Sequence, residues 1–209
     1  MTQQTINTTQ RSVLASLRAL VPKRALNPQE ALRIAELQAN KLLEHFAITA
    51  AAVPEEIISE LPRIRLIREP LPVSGSANWA SGYWLITINS HEPAGRQRFS
   101  LVHEFKHVLD HTTKNYLYRD RPLQTAHQQA ERVADYFAAC LLMPKKVVVR
   151  LWCEGQQNIV ELAAKLQVSP TALRYRLDQL GLTERPARCE WRIRSTSARP
   201  RALTIGGRQ

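Results

Sequence analysis

Residues 100–111 read SLVHEFKHVLDH and contain the pattern His-Glu-x-x-His, with His103 and His107 four residues apart. Apolar residues recur at helical spacing through the same stretch, at Phe99, Val102, Phe105 and Leu109. On a helix, the two imidazoles lie one turn apart on one face, so both can bind a single metal ion. Glu104 is poorly placed as a further ligand, but it can act as the base toward an attacking water.

A catalytic zinc needs a third protein ligand, and His111 does not supply it. It lies two turns beyond His103, about 12 Å along the helix axis, too far to share one ion with both histidines. The longer three-histidine pattern is also absent, because Thr113 stands where it requires a histidine.

Glu131 is the better candidate for the third ligand, on the next predicted helix and 24 residues after His107. Asp135 lies one turn later on the same face, where it can accept a hydrogen bond from a ligand imidazole. His127, one turn before Glu131, is a weaker competitor for the ligand role.

The rest of the chain predicts a few strands followed by many helices. Asn27 and Pro28 start a helix as N-cap and first helical residue. The predicted helices span 27–46, 53–61, 96–111, 125–142, 145–153, 158–167 and 170–180, and the predicted strands span 64–67, 76–80 and 83–89. Segregated strands and helices indicate an α+β fold.

Composition excludes several classes of protein. The chain has 209 residues, of which 44% are hydrophobic and 22% charged, as is typical of globular proteins and not of disordered ones. Three scattered cysteines exclude a disulfide framework, and no apolar run is long enough to span a membrane. The start of the chain lacks the pattern of a signal peptide, so we expect a cytoplasmic protein without membrane contact.

The net charge of +11 is unevenly distributed. We predict a flexible lead over 1–26, a unit over 27–152 that carries the His-Glu-x-x-His pattern, a helix-turn-helix-like unit over 153–182, and a basic, disordered tail over 183–209. The tail carries a net charge of +5 and residues 153–182 carry none. The tail therefore predicts weak, non-specific contact with DNA.

Residues 158–180 are typical of a helix-turn-helix, with Ser169 as N-cap and Pro170 opening the second helix. One interpretation places that helix in the DNA major groove, and the other packs the pair against the core or a protein. A DNA-binding unit should be positive, so the neutral charge favours packing.

Two segments, RFSLVHEFKH (98–107) and ERVADYFAACLLMP (131–144), closely resemble the ImmA/IrrE metallopeptidases. The resemblance extends over about residues 28–182. It implies a zincin-like, specifically gluzincin-like, α+β fold with a small antiparallel or mixed sheet packed on the active-site helix. His103, His107 and Glu131 would bind one zinc ion, or Mn²⁺ or another first-row divalent ion, and Glu104 would be the general base.

Members of this family are cytoplasmic endopeptidases that cleave helix-turn-helix repressors and so derepress stress-response or mobile-element genes. The resemblance implies such a repressor as substrate; the alternative is a regulator that keeps the fold but acts by binding DNA or protein. This chain departs from the family pattern at Lys106, where glycine is usual, and at Asp135, where asparagine is usual. We expect Lys106 to face solvent. For contact with the oxyanion or substrate, His111, Tyr116 and Tyr118 are candidates.

Overall fold

The structure, a computed structural model, describes residues 13–182. The basic tail predicted over 183–209 and the first part of the predicted lead, residues 1–12, lie outside the described residues. The described part combines one sheet with helices, and the predicted α+β fold is confirmed.

The sheet has three strands in the order β1-β3-β2. These are β1 (Ile64–Glu69), β2 (Gly75–Ala80) and β3 (Tyr83–Asn89), with β3 parallel to β1 and antiparallel to β2. The turn between β2 and β3 has φ values of 50° at Ser81 and 83° at Gly82, which suit a tight hairpin turn. Within residues 13–182, the outer edge of β2 pairs with no strand.

Within residues 13–182, each of the seven predicted helices is present, one of them shorter than predicted, and two further helices were not predicted. Helix α1 includes residues 13–18, and the others are α2 (Pro28–His45), α3 (Glu56–Ser59), α4 (Ala94–Asp110), α5 (Lys114–Leu117), α6 (Ala126–Leu142), α7 (Lys145–Cys153), α8 (Ile159–Leu166) and α9 (Pro170–Gln179). As predicted, the Asn27 side chain caps α2, whose first residue is Pro28. A reciprocal cap between Thr125 and Gln128 starts α6. None of the helices within residues 13–182 has both the length and the apolar character needed to cross a membrane.

Helix α4, which carries the His-Glu-x-x-His pattern, packs on the sheet through one side and on α6 through another. Val102, Phe105 and Leu109 are buried on α4, as their spacing predicts. Phe105 meets Phe137 of α6, with ring centroids 6.2 Å apart. This packing holds the two helices in a fixed relation, which positions the side chains on their shared open face.

The prediction of a flexible lead over 1–26 is wrong for residues 13–26, which pack against the core. Val13, Leu17, Val21 and Leu26 are buried in the core. Arg18 donates hydrogen bonds to the carbonyl oxygens of Val108 and Leu109, at 2.9 and 3.1 Å. These carbonyls lie in the last turn of α4, where a helix leaves acceptors without partners, so this segment completes the end of α4.

The predicted helix pair is present as α8 and α9, with Ser169 as N-cap. Its turn lies directly against the start of α4: a Cβ atom on Gly95 would approach the backbone of Val168 and Ser169 to 3.0 Å. The buried Arg176 of α9 donates to the carbonyl oxygen of Met143 at 3.0 Å. The pair shares one continuous core with the rest of the described chain.

Candidate metal centre

His103 and His107 of α4 and Glu131 of α6 form the one group of potential metal ligands that the structure shows within residues 13–182. The His103 and His107 Nε2 atoms lie 3.1 Å apart. The Glu131 carboxylate oxygens lie 3.3 Å from His103 Nε2 and 3.2 Å from His107 Nε2. The helical spacing within α4 sets the first distance, and the packing of α6 on α4 sets the other two.

These distances are compatible with one metal ion shared by the three residues, with the distances to Glu131 taken from Oε2 for His103 and from Oε1 for His107. Zinc binds imidazole nitrogen and carboxylate oxygen at about 2.0–2.1 Å, which places neighbouring ligand atoms of a tetrahedron about 3.3–3.4 Å apart. The three measured distances lie within a few tenths of an ångström of that value. Two imidazoles and one carboxylate are also the donor set of a catalytic zinc, in which the fourth position stays open.

Asp135 forms a hydrogen bond with His103. Its Oδ1 atom lies 2.9 Å from His103 Nδ1, the contact expected from its place one turn after Glu131. A proton on Nδ1 leaves Nε2 free to bind metal, so this hydrogen bond selects the required tautomer. Burial alone would lower the pKa of His103, but Asp135 together with Glu131 and Glu104 raises it.

Glu104 lies beside the start of β2, and that contact depends on a glycine. A Cβ atom on Gly75 would approach Glu104 Cγ to 3.1 Å and Ile88 Cδ1 to 3.0 Å. Burial raises the pKa of Glu104, and Glu131 raises it further, while His103 lowers it. A carboxylate with a raised pKa is a better proton acceptor at neutral pH. Sequence reasoning missed Gly75; the signal for it was a glycine at the start of a strand.

The other residues predicted for the site lie outside the group of three ligands. His127 Nδ1 lies 3.7 Å from Glu131 Oε1, but this side chain is 82% exposed and outside the ligand group. His111 is exposed and, together with His107, lines a cavity of about 430 Å³. Tyr116 is exposed and is absent from the lining of that cavity.

Tyr118 is buried, and its hydroxyl donates a hydrogen bond to Asp110. Burial and the neighbouring carboxylate raise its pKa. The hydroxyl proton is therefore already donated to Asp110, while Tyr118 lines the same cavity as His107 and His111.

Lys106 corrects a second expectation, because its side chain is fully buried and does not face solvent. Its ammonium nitrogen lies 2.5 Å from Asp110 Oδ1 and 2.8 Å from Gln38 Oε1, and 5.8 Å from the centre of the Phe137 ring. The side chain therefore lies in the core between α4, Gln38 of α2 and Phe137 of α6. Asp110, one turn later on the same helix, was the available sequence signal for a partner.

Open space flanks the ligand group on two sides. One cavity, of about 580 Å³, is lined by Asp135 and Phe99 together with Thr171 and Tyr175 of α9. The other is the cavity that His107 and His111 line.

A family model described as the IrrE N-terminal-like domain, a family of peptidases, matches residues 61–178. The match begins just before β1 and ends within α9, and so covers the sheet, the ligand group and the helix pair. No curated protein matches the chain significantly. Since the match takes in more than half of the chain, the protein belongs to the ImmA/IrrE family of metallopeptidases.

Proposed function

We propose that this protein is a zinc-dependent endopeptidase that hydrolyses a peptide bond in a protein substrate. The observation that carries the proposal is the convergence of one ligand atom each from His103, His107 and Glu131, all within 4.8 Å of one another, with Glu104 on the same helix turn. Zinc is the ion that two imidazoles and a carboxylate favour, and other first-row divalent ions accept the same ligands.

The chain's own residues divide the chemistry between them. A divalent ion held by His103, His107 and Glu131 would supply a Lewis acid that polarises the scissile carbonyl and acidifies water. Glu104 accepts the proton of the attacking water and delivers it to the leaving amine. Asp135 holds the His103 imidazole in place throughout. Of the proposed oxyanion donors, His111 and Tyr118 line the same cavity as His107.

We place the substrate along the free edge of β2. An unpaired edge offers a row of backbone donors and acceptors to which an extended peptide can add as a further strand. Gly75, the first residue of this strand, contacts Glu104, so a peptide on β2 passes the proposed base.

A helix-turn-helix repressor is the substrate that we propose from the family resemblance. The alternative role is that of a regulator that acts by binding DNA or protein without cleaving it. Two observations weigh against α8 and α9 as a DNA reader: residues 153–182 carry no net charge, and Arg176 is buried on a backbone carbonyl. Exposed positive charge is what phosphate contact requires.

Co-expression with the repressor encoded by a neighbouring gene tests the proposal, with mass spectrometry of the repressor fragments. We expect the wild-type chain to produce discrete fragments and the Glu104→Gln variant to produce none, although both bind the ion. Glu131→Gln should also be inactive, through loss of the ion. If Glu104→Gln relieves repression as well as wild type does, proteolysis is not the mechanism.

A further inference from the structure

A separate cavity of about 580 Å³ opens at the end of β2 that is distant from Gly75. Its walls include Trp79 of β2, Trp84 of β3 and His111 at the end of α4, with Leu14 of α1 beside them. The Trp79 and Trp84 rings meet edge to face at 5.5 Å, and Trp84 meets His111 in the same way at 5.0 Å. Trp79 remains 51% exposed, so its ring has an open surface toward the cavity.

This cavity continues from the proposed active site. His111 lines both it and the cavity that His107 lines, and His111 lies only one helical turn beyond His107. The two spaces therefore meet at a single side chain, and a peptide bound at the ligands can extend into the aromatic cavity.

The strand register gives the distance between the two places. Along β2, Gly75 pairs with Ile88 and Trp79 pairs with Trp84, so Gly75 and Trp79 lie on the same face of the sheet. Four residues of strand span about 13 Å. A peptide added to β2 follows the same alternation. Its side chain next to Trp79 is thus four residues from the one next to Gly75 and Glu104.

We propose that the Trp79–Trp84–His111 cavity is a substrate subsite that binds a large, uncharged apolar side chain four residues from the cleaved bond. The inference rests on the proposed endopeptidase function. The aromatic walls favour an aromatic or long aliphatic side chain. Two arginines, Arg18 and Arg63, also line the cavity and disfavour a lysine or arginine there.

The first test measures binding without turnover, on the full-length chain. N-acetyl-L-phenylalaninamide is titrated into ¹⁵N-labelled protein, and the indole N–H signals, assigned by Trp→Phe variants, are followed by NMR. We expect saturable shifts at Trp79 and Trp84 and none at Trp152, which lies outside the cavity. N-acetyl-L-lysinamide should produce no such shifts. Equal effects of the two compounds, equal shifts at Trp152, or no shifts at all would overturn the subsite.

Two variants locate the binding. Trp79→Ala removes an exposed side chain, so the fold persists, and the affinity should fall by about 5–30-fold, the change that one or two kcal/mol produces. Val73→Ala, at an equally exposed apolar residue outside the cavity, is the matched control and should bind as wild type does. The same affinity in Trp79→Ala as in the control would refute the assignment.

The design separates this inference from the function on which it rests. Glu104→Gln should show the wild-type shifts, because binding requires no proton transfer. Shifts without any cleavage in the co-expression experiment would sustain the cavity as an apolar binding site while the peptidase proposal fails. If the substrate is cleaved, its apolar residue four positions from the cleaved bond can be replaced by lysine. This replacement should slow cleavage by the wild type at least fivefold and cleavage by Trp79→Ala far less. Equal slowing in both would exclude this cavity as the subsite.

Discussion

Replacing Lys106 by methionine removes the cation that contacts Asp110 inside the core. The pair is buried on both sides, with side-chain exposures of 0% and 5%, and the two atoms lie 2.5 Å apart. Methionine fills similar space but leaves the Asp110 carboxylate buried. Of the two side chains that now donate to this carboxylate, only the Tyr118 hydroxyl remains. Breaking a buried ion pair from one side costs about 3–5 kcal/mol. We expect the free energy of unfolding of Lys106→Met to fall by that amount.

Urea denaturation followed by circular dichroism measures this loss, with a chelator present so that metal binding does not contribute. Domains are stable by about 5–15 kcal/mol, so the variant remains folded and measurable. Arg150→Met is the matched control, because Arg150 and Glu154 have the same spacing on a helix but lie 3.9 Å apart and are 58% and 52% exposed. Its loss should stay below about 0.5 kcal/mol.

The double variant Lys106→Met/Asp110→Asn completes the test. Neutralising the carboxylate removes the penalty that the single change creates, so the double variant should be more stable than the sum of the single changes predicts, by about 1–3 kcal/mol. Additive losses, or a Lys106→Met loss below about 1 kcal/mol, would refute the view that this pair is a coupled element of the core.

Three further predictions follow from single contacts. Asp135→Ala should weaken zinc affinity by about 10–100-fold, measured by competition with a chromophoric chelator, because it removes the acceptor for a ligand imidazole; a change below about threefold would contradict this role. Gly95→Ala should lower the free energy of unfolding by about 1–3 kcal/mol, since its methyl group would meet backbone atoms of Ser169 at 3.0 Å, and wild-type stability would argue against that docking. Glu30 should titrate with a pKa of about 2 by NMR, because Arg24 and the backbone N–H of Asn27 stabilise its carboxylate. The contribution of Glu30 to stability is therefore present above its unfolded pKa and is lost as the pH falls toward 2. Arg24→Ala should raise the pKa of Glu30, and an unchanged value would exclude the ion pair as its cause.

Local patterns in the sequence predicted the elements that carry the candidate ligands. The spacing of His103 and His107 depends only on helix geometry, and the Asn27 cap depends only on residues within one turn. Glu131 could also be predicted from the sequence, because the site needed a third ligand and Glu131 offers a carboxylate on the next helix. For these features, sequence separation is short or the chemistry leaves few choices.

Long-range packing could not be predicted in the same way. Lys106 is buried because it meets Gln38, a residue 68 positions earlier in the chain. Residues 13–26 join the core through Val13, Leu17, Val21 and Leu26, and Arg18 contacts the end of α4, some 90 residues later in the chain. Strand β3 is likewise central because it pairs with β1, although β2 lies between the two in the sequence. Such contacts arise from the whole fold, and no local pattern contains them.

Metal content of the purified chain tests the central claim most directly, namely that His103, His107 and Glu131 hold one divalent ion. By inductively coupled plasma mass spectrometry, we expect about one zinc per chain in the wild type and in Glu104→Gln, because Glu104 is not a ligand. We expect less than about a tenth of an equivalent in Glu131→Gln after dialysis against a weak chelator, since that change removes one of the three protein ligands. A wild-type chain without a stoichiometric divalent ion, or a Glu131→Gln variant that retains one, would contradict the account.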